Sequence, residues 1–300
     1  MNRGCCDGSC RGGIPVSLRN GLTFHIIKLT ADQPGCGKDS RMRYLHASSD
    51  NYEDFASGRV LHHAPGLTNF PVRLAQEIFM RAASRLPTAS PVCLYDGCCG
   101  SGYLLTVLGL LNQAKIHRII GRDINQQAIE VAKRNLSLLS HKGLAQRRLE
   151  IEHHLSEFRR PSYQQALASL DRIAGQLIGP EIEIDLDRGD LFDPQPLQWP
   201  PDIVFMDLPY GRLTAWQTDQ STQIRSNDQD NLSVALLLQS LSRQISRQTI
   251  VALSMDRNEK WVLSGYRRLE QQIIGHRKFV ICQLDGPSDP DESSIKEKNK

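Results

Sequence analysis

The chain has 300 residues, 40% of them hydrophobic and 23% charged, which describes an ordinary globular protein with ample material for a core. Its net charge of +3 is too small to advertise a polyanionic partner, so any nucleic-acid contact must come from a local patch. No apolar run approaches the roughly 20 residues needed to cross a bilayer.

The opening stretch, MNRGCCDGSCRGG, lacks the apolar core of a secretory signal, and a soluble, cytoplasmic, monomeric protein without membrane contact is expected. The eight cysteines (Cys5, Cys6, Cys10, Cys36, Cys93, Cys98, Cys99 and Cys282) cluster too unevenly for a disulfide framework. Cys5, Cys6, Cys10 and Cys36 could offer four thiolates to zinc, but they lack a paired C-x-x-C spacing; incidental thiols on a loose tail are the plainer reading, and no metal is expected.

Residues 1–50 read as a flexible extension, with LTFHIIKL at Leu22 to Leu29 a possible strand, and 51–90 as a helical segment packed on the core. FPVRLAQEIFMRAASRL puts Ala75, Ile78, Phe79, Ala82 and Leu86 on one helical face and Arg73, Glu77 and Arg81 on another, with Pro71 in the first turn. From residue 91 the pattern alternates. PVCLYD, IHRIIGRD, EIEIDL, DIVFMDLPYG and QTIVALSM read as strands, and FVICQL as the strand that closes the sheet. GYLLTVLGLLN and NQQAIEVAKRNLSLLS read as the first two intervening helices. This rhythm predicts a doubly wound, mostly parallel, seven-stranded α/β sheet over 91–285. Residues 141–180 are too long for a loop and form a helical insertion. Its second half opens on a capping box, Ser162 with Gln165, and stops at Gly179-Pro180. Its first half holds five Lys/Arg and three His against three Glu, which suits a solvated face as well as an RNA contact. Residues 286–300 are a charged, disordered tail.

In such sheets ligands lie outside the carboxyl ends of the strands, where this sequence delivers Asp96, Asp123, Asp190 and Asp207 in order. The first turn, D-G-C-C-G-S-G, lacks the G-x-G-x-x-G spacing of a dinucleotide site, which disfavours a nicotinamide oxidoreductase. It resembles the D/E-x-G-x-G-x-G loop of class I S-adenosylmethionine (SAM) methyltransferases, with Cys98 in place of the first glycine. That resemblance implies SAM as cofactor. Cys98, Gly100, Ser101 and Gly102 would form the loop, with Asp96 near the cationic methionine end, Asp123 on the ribose hydroxyls, 27 residues on, and Asp190 at the adenine amino group. DLPYG resembles the (D/N/S)-P-P-(Y/F) motif of methyltransferases acting on a conjugated nitrogen, with Leu208 where the first proline usually stands. Asp207, which also borders the cofactor site, is the candidate acceptor that localises the nitrogen lone pair. Pro209 fixes the corner and Tyr210 is a stacking face for a planar base.

DFASGRVLHHAPGLTNFPVRLAQEIF, DGCCGSGYLLTVLGLL, RNLSLLS and DLPYG together resemble the avilamycin-resistance ribosomal RNA methyltransferases of the AviRa family, over roughly residues 52–285. The family pattern has Pro where this chain has Gly97. The resemblance implies methylation of a guanine base, at N1, in large-subunit ribosomal RNA, with antibiotic resistance as an associated role. The alternatives are methylation of another planar nitrogen, in adenine, cytosine or a protein glutamine, and a non-catalytic module that binds SAM or RNA. Arg59, His62 and His63, the basic half of the insertion, and Arg267, Arg268, Arg277 and Lys278 are the candidate RNA contacts.

Overall fold

The computed structural model describes residues 44–56, 58–63, 69–88, 90–192, 195–208, 229–259 and 262–285, all within one compact unit, Arg41–Lys300. The stretch at Leu22 to Leu29, the cysteines at 5, 6, 10 and 36, and the candidate site residues Pro209 and Tyr210 lie outside the described residues.

Seven strands form one sheet: β1 (Val92–Asp96), β2 (Ile116–Asp123), β3 (Glu183–Arg188), β4 (Ile203–Asp207), β5 (Ile250–Asp256), β6 (Tyr266–Ile274) and β7 (Arg277–Leu284). Their order is β3-β2-β1-β4-β5-β7-β6, the first five parallel and β7 antiparallel to both of its neighbours. FVICQL therefore does not close the sheet. It lies inside it, and the edge is β6, whose alternating polar sequence gave no strand signal. β1, β4 and β5 are buried along almost their whole length, as expected of parallel strands covered on both faces.

The helices are α1 (Val72–Ala83), α2 (Tyr103–Leu111), α3 (Gln126–Ser137), α4 (His141–Phe158), α5 (Pro161–Gln176) and α6 (Gln229–Leu241). α2 is apolar all round and is buried at eight consecutive positions, Tyr103 to Leu110. The insertion is a pair of helices, α4 and α5, turning at Arg159 and Arg160. Arg160 is the N-cap of α5 and Pro161 its first residue, so Ser162 sits inside the first turn and the expected capping box does not form. Pro71 likewise caps α1 from outside.

The polar face expected of α1 is not solvated. Glu77 is fully buried; its carboxylate accepts N–H groups of Leu45, His46 and Ala47 and Nε of Arg81, at 2.7–2.8 Å. Arg81 also pairs with Glu270 of β6, which Arg85 reaches at 2.9 Å. Buried charge survives where every lone pair has a donor, and here the donors come from backbone beyond the reach of sequence periodicity.

Candidate active site

The loop after β1 is shaped by two left-handed glycines, Gly100 (φ 53°) and Gly102 (φ 68°). Gly102 is the N-cap of α2, and a Cβ there would lie 3.0 Å from the Ala132 Cβ on α3. Glycine is thus required twice, by φ and by close approach. A Cβ on Gly97 would come within 2.6–2.9 Å of Leu191, Tyr95 and Met206, which fits glycine at the position where the family pattern has proline.

Three of the four strand-end acids converge on this loop. Asp96 is 2% exposed and accepts the Cys98 N–H at 3.0 Å. Burial is the main force raising its pKa, to about 8, with the negative charges of Asp123 and Asp207 adding to the push. Asp123 takes the Gly100 N–H at 2.7 Å on one oxygen and the Asn125 N–H at 2.9 Å on the other. Each oxygen keeps a second lone pair for a ligand. The Cys98 thiol lies 3.9 Å from the Asp207 carbonyl oxygen, which brings the end of β4 to the same loop. Asp190 falls two residues beyond β3, accepting the Phe192 N–H at 2.9 Å, while neighbouring Gly189 N–H bonds the Asp123 carbonyl at 3.0 Å. Ser101 is buried. Cys98 and Cys99 keep their protons, since burial first and the nearby carboxylates second push both thiols well above their ordinary pKa. Thiolate chemistry has no support in this turn.

Asp207 ends β4 with its carboxylate 2.6 Å from Nη1 of Arg277, at the start of β7. Burial raises its pKa to about 6 against the opposing pull of the Arg277 guanidinium and the Ser254 hydroxyl. Arg277 in turn lies over the ring of Phe70, 4.7 Å from its centroid, and Phe70 stands edge-on to Phe205 of β4. The Leu208 N–H donates to the Ser254 carbonyl at 2.9 Å and so anchors the start of the DLPYG corner.

Sequence reasoning missed Asn135. Fully buried on α3, it donates to the carbonyls of Ser101 and His62 and accepts the His62 N–H at 2.7 Å. One side chain thereby joins the glycine loop to the LHH segment; the signal available was an asparagine on the apolar side of a helix. His62 is buried and held neutral, its pKa lowered to about 4 by burial and then by Arg147 and Arg134, so it is not a surface contact for RNA. Lys278 is buried as well, and Arg277 faces Asp207. Of the basic candidates outside the insertion, His63 stays exposed, as do Arg267 and Arg268 on β6, and Arg59 is partly exposed.

A family model described as rRNA methyltransferase AviRa matches residues 42–277. The chain belongs to the AviRa rRNA methyltransferase family. A curated relative from Streptomyces viridochromogenes, named 23S rRNA (guanine(2535)-N(1))-methyltransferase, is 40% identical over 248 residues, which are 80% of this chain and 95% of the relative. Two solved structures of the AviRa rRNA methyltransferase from that organism match with TM-scores of 0.72 and 0.71, at 37% and 39% identity. They cover 81% and 80% of this chain and 96% of each solved one. For an AviRa family member, the glycine loop and the acids around it are the natural place to look for the cofactor. The carboxylate set suits a ligand that carries positive charge at one end and vicinal hydroxyls further along.

Proposed function

We propose that this protein transfers a methyl group from SAM to N1 of a guanine in 23S rRNA. The reading is supported chiefly by the convergence of Asp96, Asp123 and Asp207 on one left-handed glycine loop, in a chain of the AviRa family. When bound, SAM supplies an electrophilic methyl on a sulfonium. Gly100 and Gly102 would let its methionine end lie on bare backbone, with the Asp96 carboxylate balancing its positive charge. Asp123 would take the ribose hydroxyls, and Asp190 the adenine amino group.

Guanine N1 carries a proton near neutral pH and is nucleophilic only as that proton leaves. Asp207 is the acceptor in this reading, and Tyr210 the stacking face for the base. Arg277, paired with Asp207, keeps a positive charge beside the acid, which helps the carboxylate stay ionised despite its burial.

The test is incubation of the protein with methyl-labelled SAM and either naked 23S rRNA or assembled large subunits, followed by mapping of the label. Label at N1 of a single guanine is expected, and Asp207→Asn should slow its appearance by roughly 10²–10⁴ while SAM binding by calorimetry persists. Label found only in DNA or protein pools, or in no pool, would refute the reading. A methyl group placed inside a drug pocket of the ribosome obstructs the drug, so resistance of cells expressing the active protein is a consequence to be measured alongside.

A further inference from the structure

The α4–α5 hairpin takes no part in the site above, yet its turn has an unusual construction. Arg159 adopts φ 49°, the one positive-φ residue other than glycine among the described residues. It is the C-cap of α4, a position where glycine or asparagine relieves the left-handed strain. The turn ends α4 with the Arg159 N–H on the Leu155 carbonyl at 2.9 Å, so an arginine occupies a left-handed cap that glycine would fill with less strain.

The side chains around it share one chemistry. Phe158 is 48% exposed, although it is a large apolar ring at a helix end. Its ring lies 6.1 Å from that of His154 and 6.4 Å from that of Tyr163, which is itself 5.5 Å from His154. Arg160 stands over the Phe158 face at 6.0 Å. Of the acids nearby, Glu152 lies 3.9 Å from Arg148, and Glu157 lies 3.8 Å from His153, an ion pair only when that imidazole is protonated. Among the described residues, Arg159 and Arg160 have no acidic partner. A half-exposed Phe158 ring backed by the partly buried rings of His154 and Tyr163, and flanked by two guanidiniums without an acidic partner, fits unpaired bases and the phosphates that join them.

The hairpin is fastened to the core at its root. α4 follows α3 after a short turn, and its Glu150 meets Arg134 of α3 at 3.5 Å. Arg147 bonds the carbonyls of Val60 and Arg59, and Arg172 of α5 pairs with Asp54, which fastens the root. Eighteen residues give α4 a length of about 27 Å, long enough to carry the tip well beyond its anchored half.

We infer that the tip of this hairpin, Phe158 with Arg159 and Arg160, docks the substrate RNA at nucleotides away from the methylated base. This rests on the rRNA methyltransferase reading. The experiment compares wild type with Arg159→Gly/Arg160→Ala and with Phe158→Ser, using a 23S rRNA transcript. The double variant should bind the transcript roughly tenfold more weakly, with the slope of log Kd against log salt shallower by about 1.5. Its SAM affinity and its turnover at saturating RNA should be unchanged. Because glycine suits φ 49°, its unfolding temperature should match or exceed that of wild type, which separates a docking role from a structural one. Phe158→Ser should weaken binding by a similar factor with an unchanged salt slope.

Wild-type affinity and salt slope in the double variant would overturn the inference while leaving the functional reading intact. A concentration-dependent dimer lost in the variants, with RNA binding retained, would overturn it in favour of a second copy of the chain. Wild-type protein that neither binds nor labels any RNA would remove the functional reading, and this inference with it.

Discussion

Asp96 is a carboxyl sealed beneath a glycine loop, and in the proposed reading its protonation would couple SAM binding to pH. Burial holds its pKa near 8 in the free protein, so below that pH it enters the complex protonated. A cationic ligand favours the carboxylate and expels the proton. SAM affinity measured by calorimetry should therefore strengthen from pH 6 to about 8, then fall as the ligand's own ammonium deprotonates near pH 8. Asp96→Asn should remove the rising limb. The sign for folding is opposite: a raised carboxyl pKa contributes stability that is complete below its ordinary value and is lost as pH rises through the folded one. Ligand-free Asp96→Asn should thus gain stability relative to wild type at pH 9, read from urea midpoints. Asp207 gives the matching prediction for turnover. With a pKa near 6, its ionised fraction should make the single-turnover rate climb through pH 6, and Asp207→Asn should lower that rate by roughly 10²–10⁴. These acids were legible in the sequence because each follows an apolar run that must be a buried strand. Arg277 was legible only as a basic residue; its place opposite Asp207 depends on an antiparallel pairing that no local pattern encodes.

The glycine loop, α3 and the LHH segment behave as a single unit because Asn135 links them. Removing its side chain would leave the Ser101 carbonyl and both backbone groups of His62 buried without partners. Each such group costs about 1–3 kcal/mol, relaxation lowers the sum, and Asn135→Ala should lose roughly 2–4 kcal/mol in chemical unfolding. SAM affinity should fall with it, since the loop is no longer held. Gly102→Ala meets two penalties in one place, a left-handed φ and contact with the Ala132 backbone at 3.1 Å, and should lose about 1–3 kcal/mol. The helices and strands that build this unit were readable from apolar periodicity: α2 and α3, with the two parallel strands before them, fall where the pattern put them. The capping box at Ser162 was misplaced because Pro161 supplies a stronger start signal one residue earlier, and a missing N–H is harmless only in the first turn.

Across the whole molecule, what the sequence hid was the far side of the sheet. A parallel α/β core announces itself through alternating apolar runs, whereas β6 is an edge strand, YRRLEQQII, with Arg267, Arg268 and Gln271 exposed and too few apolar residues to give a strand signal. The same edge is tied to the start of the described chain through buried charge: Leu45, His46 and Ala47 hold Glu77, Glu77 holds Arg81, and Arg81 and Arg85 hold Glu270 of β6. Charged residue types read as surface unless their partners are known, and these partners are distant in sequence. The arrangement makes Glu77 a brace between three segments. Burial works to raise its pKa, but the three backbone donors and Arg81 outweigh it and hold the carboxyl below its ordinary range. Its contribution to stability is accordingly complete above the ordinary carboxylate pKa and fades only as pH falls through the lower folded value. Glu77→Gln keeps the shape but surrenders the charge and one acceptor oxygen. It should lose about 3 kcal/mol at pH 7, the scale for breaking a buried pair while one charge remains. The loss should hold constant from pH 5 to 8 and shrink in stronger acid. Hydrogen exchange should quicken together at residues 45–47 and along β6. Exchange confined to α1 would show that the charges pack locally and do not brace the molecule.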